Sequence, residues 1–145
     1  MASSPPPFPH PPHPPARPAD VDTGFGLWLA ALPLLVIGQA VDTVLGPDRP
    51  RGFVVYAATG VFLVLLSAVI VTFLLLMRQG YRWARTVLTG SGIATIVYVA
   101  SSLLTAQRTT AAAVVYAVTG IIGSVLIAGG VFLLHRTDAQ AYFTR

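Results

Sequence analysis

Asp42 is the one acidic side chain near the interior of a long apolar run, and Gln39 and Thr43 lie within a helical turn of it. A carboxylate beside an amide and a hydroxyl is chemistry for handling a proton or a cation inside a membrane, where charge is costly and needs polar neighbours. The competing reading is structural. Asp42 stands three residues before Leu45, near the end of its run, where it could reach water or pair with Arg49, Arg51 or Arg108. Under either reading Gln39, Asp42 and Thr43 form the candidate polar site.

Other chemistry is sparse. His10 and His13 lie in a proline tract and supply two metal ligands without a third. His135 sits beside Arg136 at the end of an apolar run and reads as a boundary residue. There is no Cys, and so no thiolate nucleophile, disulfide or cysteine-ligated metal. No nucleophile stands with a base, no glycine loop is arranged to cradle phosphate, and no two carboxylates are paired. A non-enzymatic protein without metal or cofactor is the expectation. Four-helix proton-coupled exporters carry a Glu deep in the first helix, and this chain has no Glu.

The elements that must position these residues are apolar. Of 145 residues, 54% are hydrophobic and 10% charged, against roughly 25% charged in soluble domains. All nine basic residues are Arg and all five acids are Asp. This usage, with abundant Ala, Pro and Gly, fits a GC-rich bacterial genome. The net charge of +4 is spread between apolar runs, whereas a nucleic-acid binder concentrates it on one face, so nucleic acid is not an expected partner.

Four runs, near 25–45, 53–77, 84–106 and 111–134, each approach or exceed the roughly 20 residues needed to cross a bilayer. In lipid the backbone must satisfy its own polar groups, so each should be a helix. Short connections make neighbours antiparallel. The expected fold is an all-α integral membrane protein, a four-helix antiparallel bundle over residues 25–135. A proline-rich, disordered tail at 1–24 precedes it, and a short C-terminal tail follows at 136–145.

The expected location is a bacterial plasma membrane, multi-pass, with both termini cytoplasmic. That orientation places Arg17, Arg78, Arg82, Arg85, Arg136 and Arg145 inside and Arg49, Arg51 and Arg108 outside. Arg78, Tyr81, Arg82, Trp83 and Arg85 then form an inner-interface anchor, with cations for anionic headgroups and rings for the interface. Trp28, Tyr142 and Phe143 are expected at the same level. Pro33 should kink the first helix.

The sequence also repeats at an offset of sixty. Val55-Tyr56-Ala57-Ala58-Thr59-Gly60 matches Val115-Tyr116-Ala117-Val118-Thr119-Gly120 with one change. Two similar helical hairpins in parallel repeat are therefore expected. Gly60 and Gly120 should admit close helix neighbours. Gly120, Ser124 and Ala128 recur every four residues as a small-residue packing face, serving either the bundle or a homo-oligomer.

Pro5 to Pro18 holds nine prolines in fourteen residues. Proline lacks a backbone N–H, so this tract builds neither helix nor sheet. Residues 5–18 are either a spacer or a ligand for a proline-binding partner, since extended proline segments dock on aromatic grooves at low entropic cost.

The segment Leu76-Met77-Arg78-Gln79-Gly80-Tyr81-Arg82-Trp83-Ala84-Arg85 and the ending Ala139-Gln140-Ala141-Tyr142-Phe143 resemble a pattern of uncharacterised small four-helix membrane proteins of actinobacteria, which carry proline-rich N-terminal tails. The resemblance covers most of the chain and implies a plasma-membrane location with no known activity. The functional expectation is a scaffold, accessory subunit or interaction protein whose partners are the lipid bilayer and another membrane protein or a second copy. The alternative is a small proton-coupled transporter or channel-like oligomer using Asp42.

Overall fold

The computed structural model describes residues 18–46, 52–140 and 143. The described residues form four long helices: α1 (Ala19–Leu45), α2 (Phe53–Arg78), α3 (Arg82–Thr105) and α4 (Thr110–Leu134). A one-turn helix, α5 (Thr137–Gln140), follows. All four long helices are long and apolar enough to cross a membrane. Successive helices neighbour one another, and α4 closes the ring against α1. The architecture is an all-α, four-helix antiparallel bundle.

The first helix begins earlier than the sequence indicated. Residues 19–24, expected in the tail, form its opening turns. Pro18 is extended at the N-cap, and Asp20 and Asp22 occupy the first turn, where the helix dipole favours negative charge. Each acid also meets an arginine of another segment: Asp22 pairs with Arg78 at 3.1 Å, and Asp20 with Arg136 at 3.4 Å. The proline tract at 5–17 lies outside the described residues. Helix α1 runs unbroken through Pro33, which is exposed on its outer side.

The closest helix pair is α1 with α4. The buried residues of α1 are Val21, Gly24, Trp28, Ala31 and Gly38, and Leu35 packs with them. Steps of three and four residues define a seam of period 3.5, the spacing of a left-handed helix pair. Positions 24, 31, 38 and 45 stand opposite 130, 123, 116 and 109. A Cβ added at Gly24 would lie 3.4 Å from the Gly130 carbonyl oxygen, one at Gly123 3.7 Å from that of Ala31, and one at Gly38 against the Thr119 hydroxyl, with the Tyr116 ring 3.9 Å away. At the end of the seam the Thr109 hydroxyl donates to the Leu45 carbonyl at 3.1 Å. Small residues every seven positions let the two backbones approach closely.

Within the single chain the α1–α4 contact runs along this seam, and the face of Gly120, Ser124 and Ala128 lies only partly in it. Gly120 does meet a neighbour, with Val99 Cγ1 2.8 Å from the place a Cβ would take. Ser124 is half-buried and Ala128 is exposed, however, while Gly123 and Gly130 are buried. Gly60 faces open space. The sixty-residue repeat therefore gives Gly60 and Gly120 different surroundings. Tyr116 is buried where Tyr56 is only partly so.

Trp28 fills the centre of the bundle instead of lying at the interface. Gly92 of α3 and Gly130 of α4 make room for it. A Cβ at Gly92 would stand 3.0 Å from the indole Cη2, and one at Gly130 2.5 Å from Cδ1. The C-terminal segment also turns inward. Ala139 and Phe143 are buried in the core cluster with Val21, Leu134 and Ala84, so Phe143 is packed against protein and not against headgroups.

Helix α2 is set apart. It buries only Leu74 and Met77, both near its end, where Gly80, at a φ of 92°, turns the chain into α3. From Thr59 to Phe73 it lines one wall of an apolar slot of about 660 Å³ whose other walls belong to α1, α3 and α4.

Candidate functional site

Asp42 occupies the last turn of α1, beside the point where α3 passes into α4. The α1–α4 register brings the chain just before Thr109 against Asp42, and this selects Arg108 as its partner. Nε of Arg108 donates to Oδ1 at 2.7 Å and Nη2 to Oδ2 at 3.2 Å, a two-point pairing of guanidinium with carboxylate. The same guanidinium donates to the Ser102 carbonyl at 2.7 Å and to its hydroxyl at 2.6 Å. Its flat face lies 3.9 Å from the centre of the Tyr116 ring. The Arg108 side chain is only 4% exposed and that of Asp42 23%. Charge this deeply placed is tolerable because nearly every donor has an acceptor and the remaining face has a π system.

The other two members of the expected polar site separate from this node. The Thr43 hydroxyl donates back to the Gln39 carbonyl at 2.8 Å, an ordinary bond within the helix. The Gln39 side chain lines the apolar slot. What forms around Asp42 is a cluster of Arg108, Ser102 and Tyr116. Arg108 was one of three candidate partners in the sequence. Ser102 carried no signal of its own and Tyr116 stood out only through the repeat; helix register brings both there.

At the opposite end of the bundle the anchor residues take different roles. Arg78 is held by Asp22 and lies 5.0 Å from the centre of the Phe25 ring. Arg85 turns inward, donating to the Leu134 carbonyl at 3.3 Å and lying 4.9 Å from the Phe143 ring. Trp83 is half-exposed and meets Phe73 edge to face at 5.4 Å. Tyr81 is partly buried against the core. Arg82 is exposed, with no acidic partner among the described residues. Of the three arginines expected to meet headgroups, Arg78 and Arg85 are engaged with the protein itself.

All described ion pairs therefore place the acid on α1 and the base elsewhere: on α2, between α3 and α4, or after α4. Helix α1 acts as the strut to which the other segments are fastened at both ends. Two buried polar atoms have no partner among the described residues, the Trp28 indole nitrogen and the Ser124 hydroxyl.

The fold and its charged ends define a multi-pass membrane protein built around one helix. No protein-family model, curated protein or solved structure matches the chain.

Proposed function

We propose that this chain is a non-enzymatic scaffold or accessory subunit of a bacterial plasma membrane, with both termini in the cytoplasm. The observation that carries the reading is the state of Asp42. Both of its carboxylate oxygens accept from Arg108, so the acid that a proton-coupled transporter would load and unload is committed to fastening α1 to the α3–α4 connection. The arginine-rich end supports the orientation, since exposed cations favour the anionic cytoplasmic surface.

Partners of such a subunit are the bilayer itself, a second membrane protein and, for residues 5–18, a proline-binding domain. Affinity purification of the full chain in mild detergent tests this. A stoichiometric companion, or a stable homo-oligomer, is expected. Recovery of the chain alone as a monomer would count against it. In sealed vesicles Asp42→Asn is expected to alter stability without altering proton flux. A proton-dependent flux that disappears with that substitution would restore the transporter.

A further inference from the structure

The slot between α2 and the rest of the bundle has a polar end and an apolar end. Gln39 lies six residues before the end of α1, and Thr59 six residues after the start of α2. At about 1.5 Å per residue both stand about 9 Å inside the same end of the antiparallel pair. Tyr116, opposite Gly38, lies at this level too. The other end is floored by Trp28, Ile70, Phe73, Leu88 and Ile127. Thr59 and Phe73 are fourteen residues apart, so the slot is about 21 Å long. One leaflet of a bilayer has a hydrocarbon half-thickness of roughly 15 Å, which an extended lipid chain spans.

The polar end is unfulfilled. Gln39 and Thr59 line this end of the slot, and neither the Gln39 amide nor the Thr59 hydroxyl has a hydrogen-bond partner among the described residues. At membrane depth, polar groups without a partner are costly, so groups that converge on one space indicate something polar within it. No charged side chain among the described residues lines the slot. The nearest described charges, Asp42 and Arg108, satisfy one another.

We propose that the slot binds a single-chain lipid amphiphile with an uncharged, hydrogen-bonding head: the chain lies along α2 toward Trp28, and the head sits between Gln39 and Thr59. The apolar side chains at the Trp28 end receive the chain. A wall with no cation among its described residues disfavours a phosphate, which would enter without a counter-charge from them. Gln39 offers both a donor and an acceptor, matching a hydroxyl or an ester carbonyl.

The test uses the full-length chain in phosphatidylcholine nanodiscs and a monoacylglycerol carrying a diazirine in its acyl chain. Photolabelling is expected to saturate and to fall on Phe62, Leu66 and Tyr98, which line the slot, rather than on Val64 and Leu65, which lie outside it. Gln39→Leu should weaken apparent affinity roughly tenfold, as the loss of one well-placed hydrogen bond does, while leaving the thermal transition in place. Ser67→Phe, which fills the middle of the slot, should abolish the saturable component. Unlabelled monoacylglycerol should compete at least roughly tenfold better than lysophosphatidylglycerol, which adds a charged phosphate. Labelling that rises linearly with probe and marks Val64 and Leu65 equally would overturn the proposal. So would unchanged affinity in Gln39→Leu, or equal competition by the two lipids.

Discussion

Arg108 illustrates how one side chain decides the meaning of another. Taken alone, Asp42 is an acid near the interior of an apolar helix. With two guanidinium bonds, it becomes one half of a fastening whose other half is shielded by Ser102 and Tyr116. Removing either partner strands the other charge. Arg108→Ala should therefore destabilise the bundle by about 3–5 kcal/mol. The double variant with Asp42→Ala should cost less than the sum of the two singles, which a double-mutant cycle in detergent unfolding would measure. Additive losses would mean that the pair contributes no coupling. This cluster was half legible from sequence. Asp42 stood out because acids are rare in such runs, but Arg49, Arg51 and Arg108 were equal candidates. Only the α1–α4 register, a long-range property, separates them.

Between the helices, the decisive feature is where small residues fall. Gly24, Ala31 and Gly38 on α1 face Gly130, Gly123 and Tyr116 on α4 in steps of seven. A four-residue search finds Gly120, Ser124 and Ala128 instead, a face the structure leaves half outside the contact. The seven-residue spacing is visible in the sequence, but every apolar helix contains some glycine, and only a partner in register gives the spacing its meaning. Gly130→Ala should cost about 1–3 kcal/mol, because the new methyl meets the Trp28 ring. Gly60→Ala should fall within about 0.5 kcal/mol of the parent, since nothing lies near it. Trp28→Ala, which empties the centre between Gly92 and Gly130, should cost about 3–5 kcal/mol. Thermal unfolding in one detergent ranks all three. A Gly60 variant as damaging as the Gly130 variant would contradict this packing.

At the scale of the whole molecule, the bundle is a tight α1–α4 pair with α3 packed on it and α2 attached mainly at one end. The four helices were legible because each carries its own apolar run, a local property. The start of α1 is hidden in the sequence, since Asp20 and Asp22 read as tail residues until Arg136 and Arg78 are seen beside them. Burial of Phe143 was hidden for the same reason, since its neighbours come from both ends of the chain. Arg82, an exposed cation at the arginine-rich end with no acidic partner among the described residues, should contribute about 1 kcal/mol to association with anionic bilayers. Arg82→Gln is expected to reduce the preference of the purified chain for phosphatidylglycerol over phosphatidylcholine while leaving its unfolding transition unchanged.

The chain has no native Cys, so paired cysteines can report helix neighbours inside the membrane without background. Ala31→Cys with Gly123→Cys places two thiols across the α1–α4 seam. Gly60→Cys with Gly120→Cys places them on α2 and α4, with Gly60 facing open space. In carbonate-washed membranes treated with a lipid-soluble oxidant, the first pair is predicted to cross-link rapidly within one chain and the second to remain reduced. Failure of the first pair while the second cross-links, or loss of the chain from the washed membranes, would contradict a membrane bundle organised around α1.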